Sequence, residues 1–165
     1  MSVNKDRPHV FVLPEDDANR QLVNGFILEL TRNVRQIQPL PEAGGWRKAL
    51  GCFDDDRDGH LAWLRKYPYS LMVVLIDGDG QQDRFDQARQ KVPRDVADRV
   101  FILGTWTEPE ALKQDLGPYE NIGRALAKDC RDATNRTWGH DLLRHNAAEV
   151  ARLRERVGPI FFERA

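Results

Sequence analysis

The acids carry the first chemical signal. Glu15 follows the apolar run Val10-Phe-Val-Leu13 and Pro14, while Asp77 and Asp79 follow Leu71-Met-Val-Val-Leu-Ile76. Ligands of open parallel sheets sit beyond the carboxyl ends of the strands. If these two strands are neighbours, Glu15, Asp77 and Asp79 converge at one edge. Carboxylates held together repel each other unless a cation joins them. Mg²⁺ suits such a site because it is hard, takes oxygens and keeps waters for a substrate phosphate; Mn²⁺ shares that preference. Gly78 and Gly80 let the loop turn sharply and a ligand come close. An Asp-Gly pair after a strand is also ordinary turn chemistry. The glutamate at a second strand end is what weights the reading toward function.

The elements that must position these acids follow from apolar spacing. Val10–Leu13 reads as a buried strand. Asp16 and Asp17 cap and charge a helix start, and Leu22, Val23, Phe26, Ile27 and Leu30 continue it at helical spacing over 17–31. A second strand is expected over 34–38, then a loop at Pro39, Pro41, Gly44 and Gly45, and a helical turn over 46–50. A helix over 60–66 ends before Pro68. Leu71–Ile76 is a central parallel strand, apolar on both faces. A helix over 84–91 and a strand over 99–103 complete the alternation. Helices are expected over 108–116, 119–130 and 141–156, with Gly158-Pro159 stopping the last and Ile160–Phe162 a final strand or docked tail. The pattern is α/β: a three-layer, mainly parallel central sheet of Rossmann-like alternation. It reads as one domain over 1–165, with an α/β core over 8–105 and a helical C-terminal extension over 106–165 packed on it.

Composition narrows the function classes. Among 165 residues, 25 Lys and Arg face 26 Asp and Glu, a net charge of −1. That near-neutrality gives no global argument for nucleic acid and leaves room for a local basic face. Cys52 and Cys130 form no disulfide framework and no zinc spacing, which points to reduced thiols and a cytoplasmic setting. The start, MSVNKDRPHVFVLPEDD, has no leader-peptide pattern, and no run approaches the ~20 apolar residues a membrane helix needs. No GxxxxGK[ST] phosphate loop, Ser/His/Asp triad or activated cysteine is present.

A glutamate after the first strand and Asp-x-Asp after a later apolar strand resemble the Toprim arrangement. That family includes topoisomerases, primases, recombination proteins and nucleases related to the overcoming-lysogenization-defect proteins. The resemblance covers about residues 8–105. VLPEDDANRQ, LRKYPYSLMVVLIDGDG, RVFILGTWTEPEAL and WGHDLLRHNAAEV also resemble segments of small uncharacterised bacterial proteins of Toprim-like pattern. The resemblance implies a Mg²⁺-dependent nuclease, with Glu15 as general acid or base and Asp77 and Asp79 holding the metal. It also implies a defence role beside a partner ATPase. One departure stands out: the family glutamate is followed by glycine, and Glu15 is followed by Asp16. The alternative is a catalytically degenerate Toprim-like interaction module.

Lesser candidates surround this core. Glu108 and Glu110 start a helix, where acids favour the dipole; either is also a candidate for the metal shell. Lys48, after Gly44-Gly45, and Arg84, after the DGDG loop, are candidate phosphate contacts, the loop's backbone N–H groups assisting. Asp54, Asp56, Asp58 and Gly59 match the first half of a calcium loop, but Arg65 stands where its bidentate glutamate belongs. A solvated acidic loop capping the helix from His60 is the expectation there. His140 and His145, five apart, lack the i, i+4 spacing of a metal pair.

Overall fold

The computed structural model describes residues 6–163; the first five residues of the stretch read for a leader lie outside them. Four strands, β1 (His9–Pro14), β2 (Ile37–Pro39), β3 (Ser70–Leu75) and β4 (Val100–Leu103), form one sheet in the order β2-β1-β3-β4. Every pairing is parallel, with Val10 opposite Leu71 and Val73 opposite Phe101. Parallel strands need crossovers, and seven α-helices supply the layers: α1 (Asp17–Leu28), α2 (Trp46–Gly51), α3 (His60–Lys66), α4 (Gln82–Lys91), α5 (Pro109–Leu116), α6 (Tyr119–Asp132) and α7 (Ala147–Phe161). Alternation along the strands splits the core in two. Val10, Val12, Leu71, Val73, Phe101 and Leu103 face α1, α6 and α7. Phe11, Leu13, Met72, Val74 and Ile102 face α2, α3 and α4. The helices after β4 thus build much of one covering layer.

Helices α1 and α6 meet backbone to backbone. A Cβ on Gly123 would lie 2.0 Å from the Leu22 carbonyl oxygen, and one on Gly25 1.9 Å from that of Glu120. Only glycine permits this approach.

Both sheet edges are blunted, as edges must be to avoid pairing with another chain. β2 is short and ends in Pro39, which has no N–H to offer. The β4 edge is sealed by side chains. Glu149 Oε2 accepts the Ile102 N–H at 2.9 Å, Asn146 Nδ2 donates to the Gly104 carbonyl at 2.9 Å, and Arg152 donates to the Val100 carbonyl at 3.1 Å.

Several expected boundaries move, and α1 ends at Leu28, three residues short of the expected 31. Residues 34–36 form a 3-10 turn after Asn33, whose left-handed φ of 54° suits asparagine, and the strand slides to Ile37–Pro39. The last helix begins at Ala147, because residues 144–146 form a separate 3-10 turn. It also runs through Gly158-Pro159 to Phe161, so neither a stop nor a final strand forms there. An internal proline costs about 3 kcal/mol. Burying Ile160 and Phe161 returns roughly 1.5–3 kcal/mol each. The freed end is capped as well: the Phe161 carbonyl accepts N–H groups of Thr31 and Arg32 at 3.0 and 3.1 Å.

Candidate functional site

The strand order reverses direction between β1 and β3, which puts a crevice at their carboxyl ends. Glu15 continues β1, its N–H bonded to the Leu75 carbonyl at 2.9 Å. Asp77 stands two residues beyond β3. The two meet: Glu15 Oε2 accepts the Asp77 backbone N–H at 2.6 Å. Both residues are 9% exposed.

A third acid, Asp16, belongs to this group in addition to its expected role as a cap. Asp16 does cap α1, its Oδ1 accepting the Asn19 N–H at 3.0 Å. The Asn19 amide also donates from Nδ2 to Asp16 Oδ1 and to Asp77 Oδ1, each at 2.9 Å. Asn19 therefore ties the two carboxylates together from the first turn of α1. The signal available in sequence was the spacing Glu-Asp-x-x-Asn, which puts a cap residue and its N3 partner beside the preceding strand end.

Electrostatics follow from this crowding. Burial, then the fields of Asp16 and Glu15 against the Asn19 hydrogen bond, pushes the Asp77 carboxyl up to about 7. Burial also raises Glu15, opposed by the Asp77 N–H and by Arg84. Tyr119 borders the same crevice, its phenol raised by burial and by the charges of Glu110, Asp16 and Asp77.

Asp79 does not join Glu15 and Asp77. It occupies the left-handed region at φ 51°, its side chain is 56% exposed, and its Oδ2 lies 3.7 Å from Arg84 Nη2. The turn is held rigidly. The Gly78 and Gly80 N–H groups donate to the Thr105 and Trp106 carbonyls, and a Cβ on Gly78 would lie 2.5 Å from the Phe85 ring. Arg84 locks the loop further: its Nη1 donates to the Asp77 carbonyl at 2.9 Å, and its guanidinium sits 4.6 Å from the Trp46 ring centre. His145 packs beneath, between Phe85 and Trp106.

The remaining candidates lie apart. Glu108 and Glu110 are exposed at the start of α5. Lys48 is exposed on α2. The Gly44 and Gly45 N–H groups both donate to the Glu15 carbonyl, so they are not free to cradle phosphate. Among the described residues, no three His, Cys, Asp or Glu side chains are placed to share a metal ion. Cys52 is pushed up to about 12, chiefly by burial, and is no nucleophile.

The arrangement can therefore hold and pass a proton, or offer carboxylate oxygens to a hard cation once the acids ionise. No described helix is long and apolar enough to cross a membrane. Comparison with family models, curated proteins and solved structures returned no match.

Proposed function

We propose that this protein is a Mg²⁺- or Mn²⁺-dependent phosphodiester-cleaving enzyme, a nuclease of Toprim-like type acting in the cytoplasm. The observation that carries the reading is the meeting of buried Glu15 and Asp77 at the carboxyl ends of the two central strands. Buried acids that crowd one another cost stability, and a divalent cation offsets that cost. The donors fit such an ion, being carboxylate oxygens throughout. Asp77 and Asp16 face each other across Asn19 and would hold it, with Asp79 joining only by releasing Arg84. The bound ion would supply charge neutralisation at the phosphate and an acidified water. Glu15, its carboxyl raised by burial, would carry the proton. Arg84, half a turn into α4 beside Asp77, would meet the phosphodiester backbone of nucleic acid. A partner ATPase belongs to the reading through the Toprim resemblance.

The test is cleavage of supercoiled DNA, single-stranded DNA and RNA with Mg²⁺ or Mn²⁺, for wild type, Asp77→Asn and Glu15→Gln. Metal-dependent cleavage abolished in both variants supports the reading. Equal cleavage by all three, or none by wild type, overturns it.

One observation favours a second reading, a non-catalytic interaction module. Asp79 is turned out of the acid group and engaged by Arg84. That reading expects folded protein with no cation affinity.

A further inference from the structure

Trp46 opens α2 at the shoulder of the acid crevice. The two residues before it, Gly44 and Gly45, donate their N–H groups to the Glu15 carbonyl at 2.9 and 3.3 Å, which fixes the backbone of Trp46 next to the end of β1. The indole meets Arg84, whose guanidinium lies 4.6 Å from the ring centre and donates to the Asp77 carbonyl at 2.9 Å. Acids, guanidinium and indole therefore form one row from the end of β3 to α2. The indole is half-buried and packs in part against the core beneath α2, α3 and α4. A Cβ on Gly45 would meet no atom within 4 Å, so the approach beside Trp46 is open.

A second cation shares this ring. The Arg47 guanidinium lies 5.4 Å from the Trp46 ring centre, and Arg47 is exposed. Among the described residues it has no carboxylate partner. Its place on α2 does not favour it either, because a cation in the first turn of a helix opposes the dipole. Two guanidiniums gathered at one indole repel each other, and a phosphate between them relieves that repulsion. Cations beside an accessible aromatic ring are the chemistry that holds unpaired nucleic acid: the cations follow the backbone, and the ring stacks a base. Inside a duplex the base faces are already stacked, and exposing one costs a few kcal/mol.

We propose that Trp46 is a base-stacking platform beside the acid crevice and that the substrate is single-stranded nucleic acid, with Arg84 and Arg47 on the phosphates that flank the stacked base. The two cations divide the work. Arg84, its side chain 14% exposed and bonded to the Asp77 carbonyl, keeps its place on the ring. Arg47, exposed and farther from the ring, yields to the base and keeps its charge on the backbone. The row then sets the register: a base on Trp46 brings its phosphate past Arg84 to Asp77. The inference rests on the nucleic-acid part of the nuclease reading and needs no cleavage, so binding without metal tests it separately.

The probes are fluorescein-labelled oligothymidylate, oligouridylate, the same DNA paired with its complement, and an abasic DNA strand of equal length. Anisotropy in EDTA reads their binding to the full chain as wild type, Trp46→Leu and Trp46→Phe. Leucine keeps apolar packing against the core, and phenylalanine also keeps a π-face. Wild type should bind one or both unpaired oligomers at least roughly fivefold more tightly than the duplex and the abasic strand; Trp46→Leu should lose that margin and Trp46→Phe keep most of it. The abasic strand needs no variant, so the test survives a Trp46→Leu that fails to fold. Equal affinity for the abasic strand or the duplex, equal margins in a folded Trp46→Leu, or no binding by wild type would overturn the platform. Metal-dependent cleavage with no preference for bases would sink this inference and leave the nuclease reading standing. Base-dependent binding lost in Trp46→Leu, without any cleavage, would do the opposite.

Discussion

Two acid-rich regions of this chain share a composition and differ in nearly everything else. Residues 54–58 hold four aspartates, and each one with an assigned partner is satisfied at the surface. Asp54 meets Lys91 Nζ at 2.6 Å, Asp55 meets Arg57 at 2.9 Å, and Asp56 accepts the Leu61 and Ala62 N–H groups at 3.0 and 2.8 Å. Glu15, Asp16 and Asp77 are packed into a crevice, where Arg84 meets a backbone carbonyl and the outlying Asp79 in preference to the buried carboxylates. The first region spends its charges on local structure. The second stores unfavourable charge at the one place where the sheet topology offers a ligand crevice.

The comparison can be broken most forcefully by removing Asp77. Asp77→Asn should lower any metal-dependent cleavage by 10²-fold or more. The same change should stabilise the metal-free protein at pH 8 by on the order of 2 kcal/mol, because it deletes a buried charge and keeps an acceptor for Asn19. Chemical denaturation of the two proteins checks this; a loss of stability would show that Asp77 is a structural acid like Asp56.

A pH series sharpens the point. The folded protein holds the Asp77 proton up to about 7, against an ordinary value of 3.8. Folding therefore binds a proton between those values. The Asp77 contribution to metal-free stability should be full below about pH 4, fall as pH rises toward 7, and level off beyond, read as the difference between wild type and Asp77→Asn across the series. Mn²⁺ should raise Tm at pH 8 and lose that effect by pH 5, where Asp77 is protonated. A Tm increment independent of pH would place the ion elsewhere.

Smaller effects belong to the surface loop. Asp56→Ala leaves two N–H groups at the start of α3 without a partner and should cost about 1 kcal/mol, with Mn²⁺ affinity by calorimetry unchanged. Asp54→Ala removes an exposed ion pair with Lys91 and should leave Tm within error.

The strands and most helices were legible because apolar runs and helical spacing encode burial directly. Val10–Leu13 and Leu71–Ile76 could be little else than central strands. Pro159 misled because a local penalty competes with burial of Ile160 and Phe161, and that burial is set by the rest of the core. Within the site, Glu15 and Asp77 could be placed from strand ends alone. Asp79 was grouped with them by spacing, which carries no information about the left-handed turn that sends it outward. Asp16 is legible as a cap, but its place beside Asp77, and Asn19's, are not, because a cap and its partner look the same in sequence whether or not a distant strand brings a carboxylate against them.

The most direct test is calorimetric titration with Mn²⁺ at pH 8 of wild type, Asp77→Asn and Asp56→Ala. Saturable binding by wild type and Asp56→Ala, lost in Asp77→Asn, is the predicted result. Binding that survives in Asp77→Asn, or no binding by folded wild type at millimolar Mn²⁺, would contradict a cation site at the β1–β3 crevice.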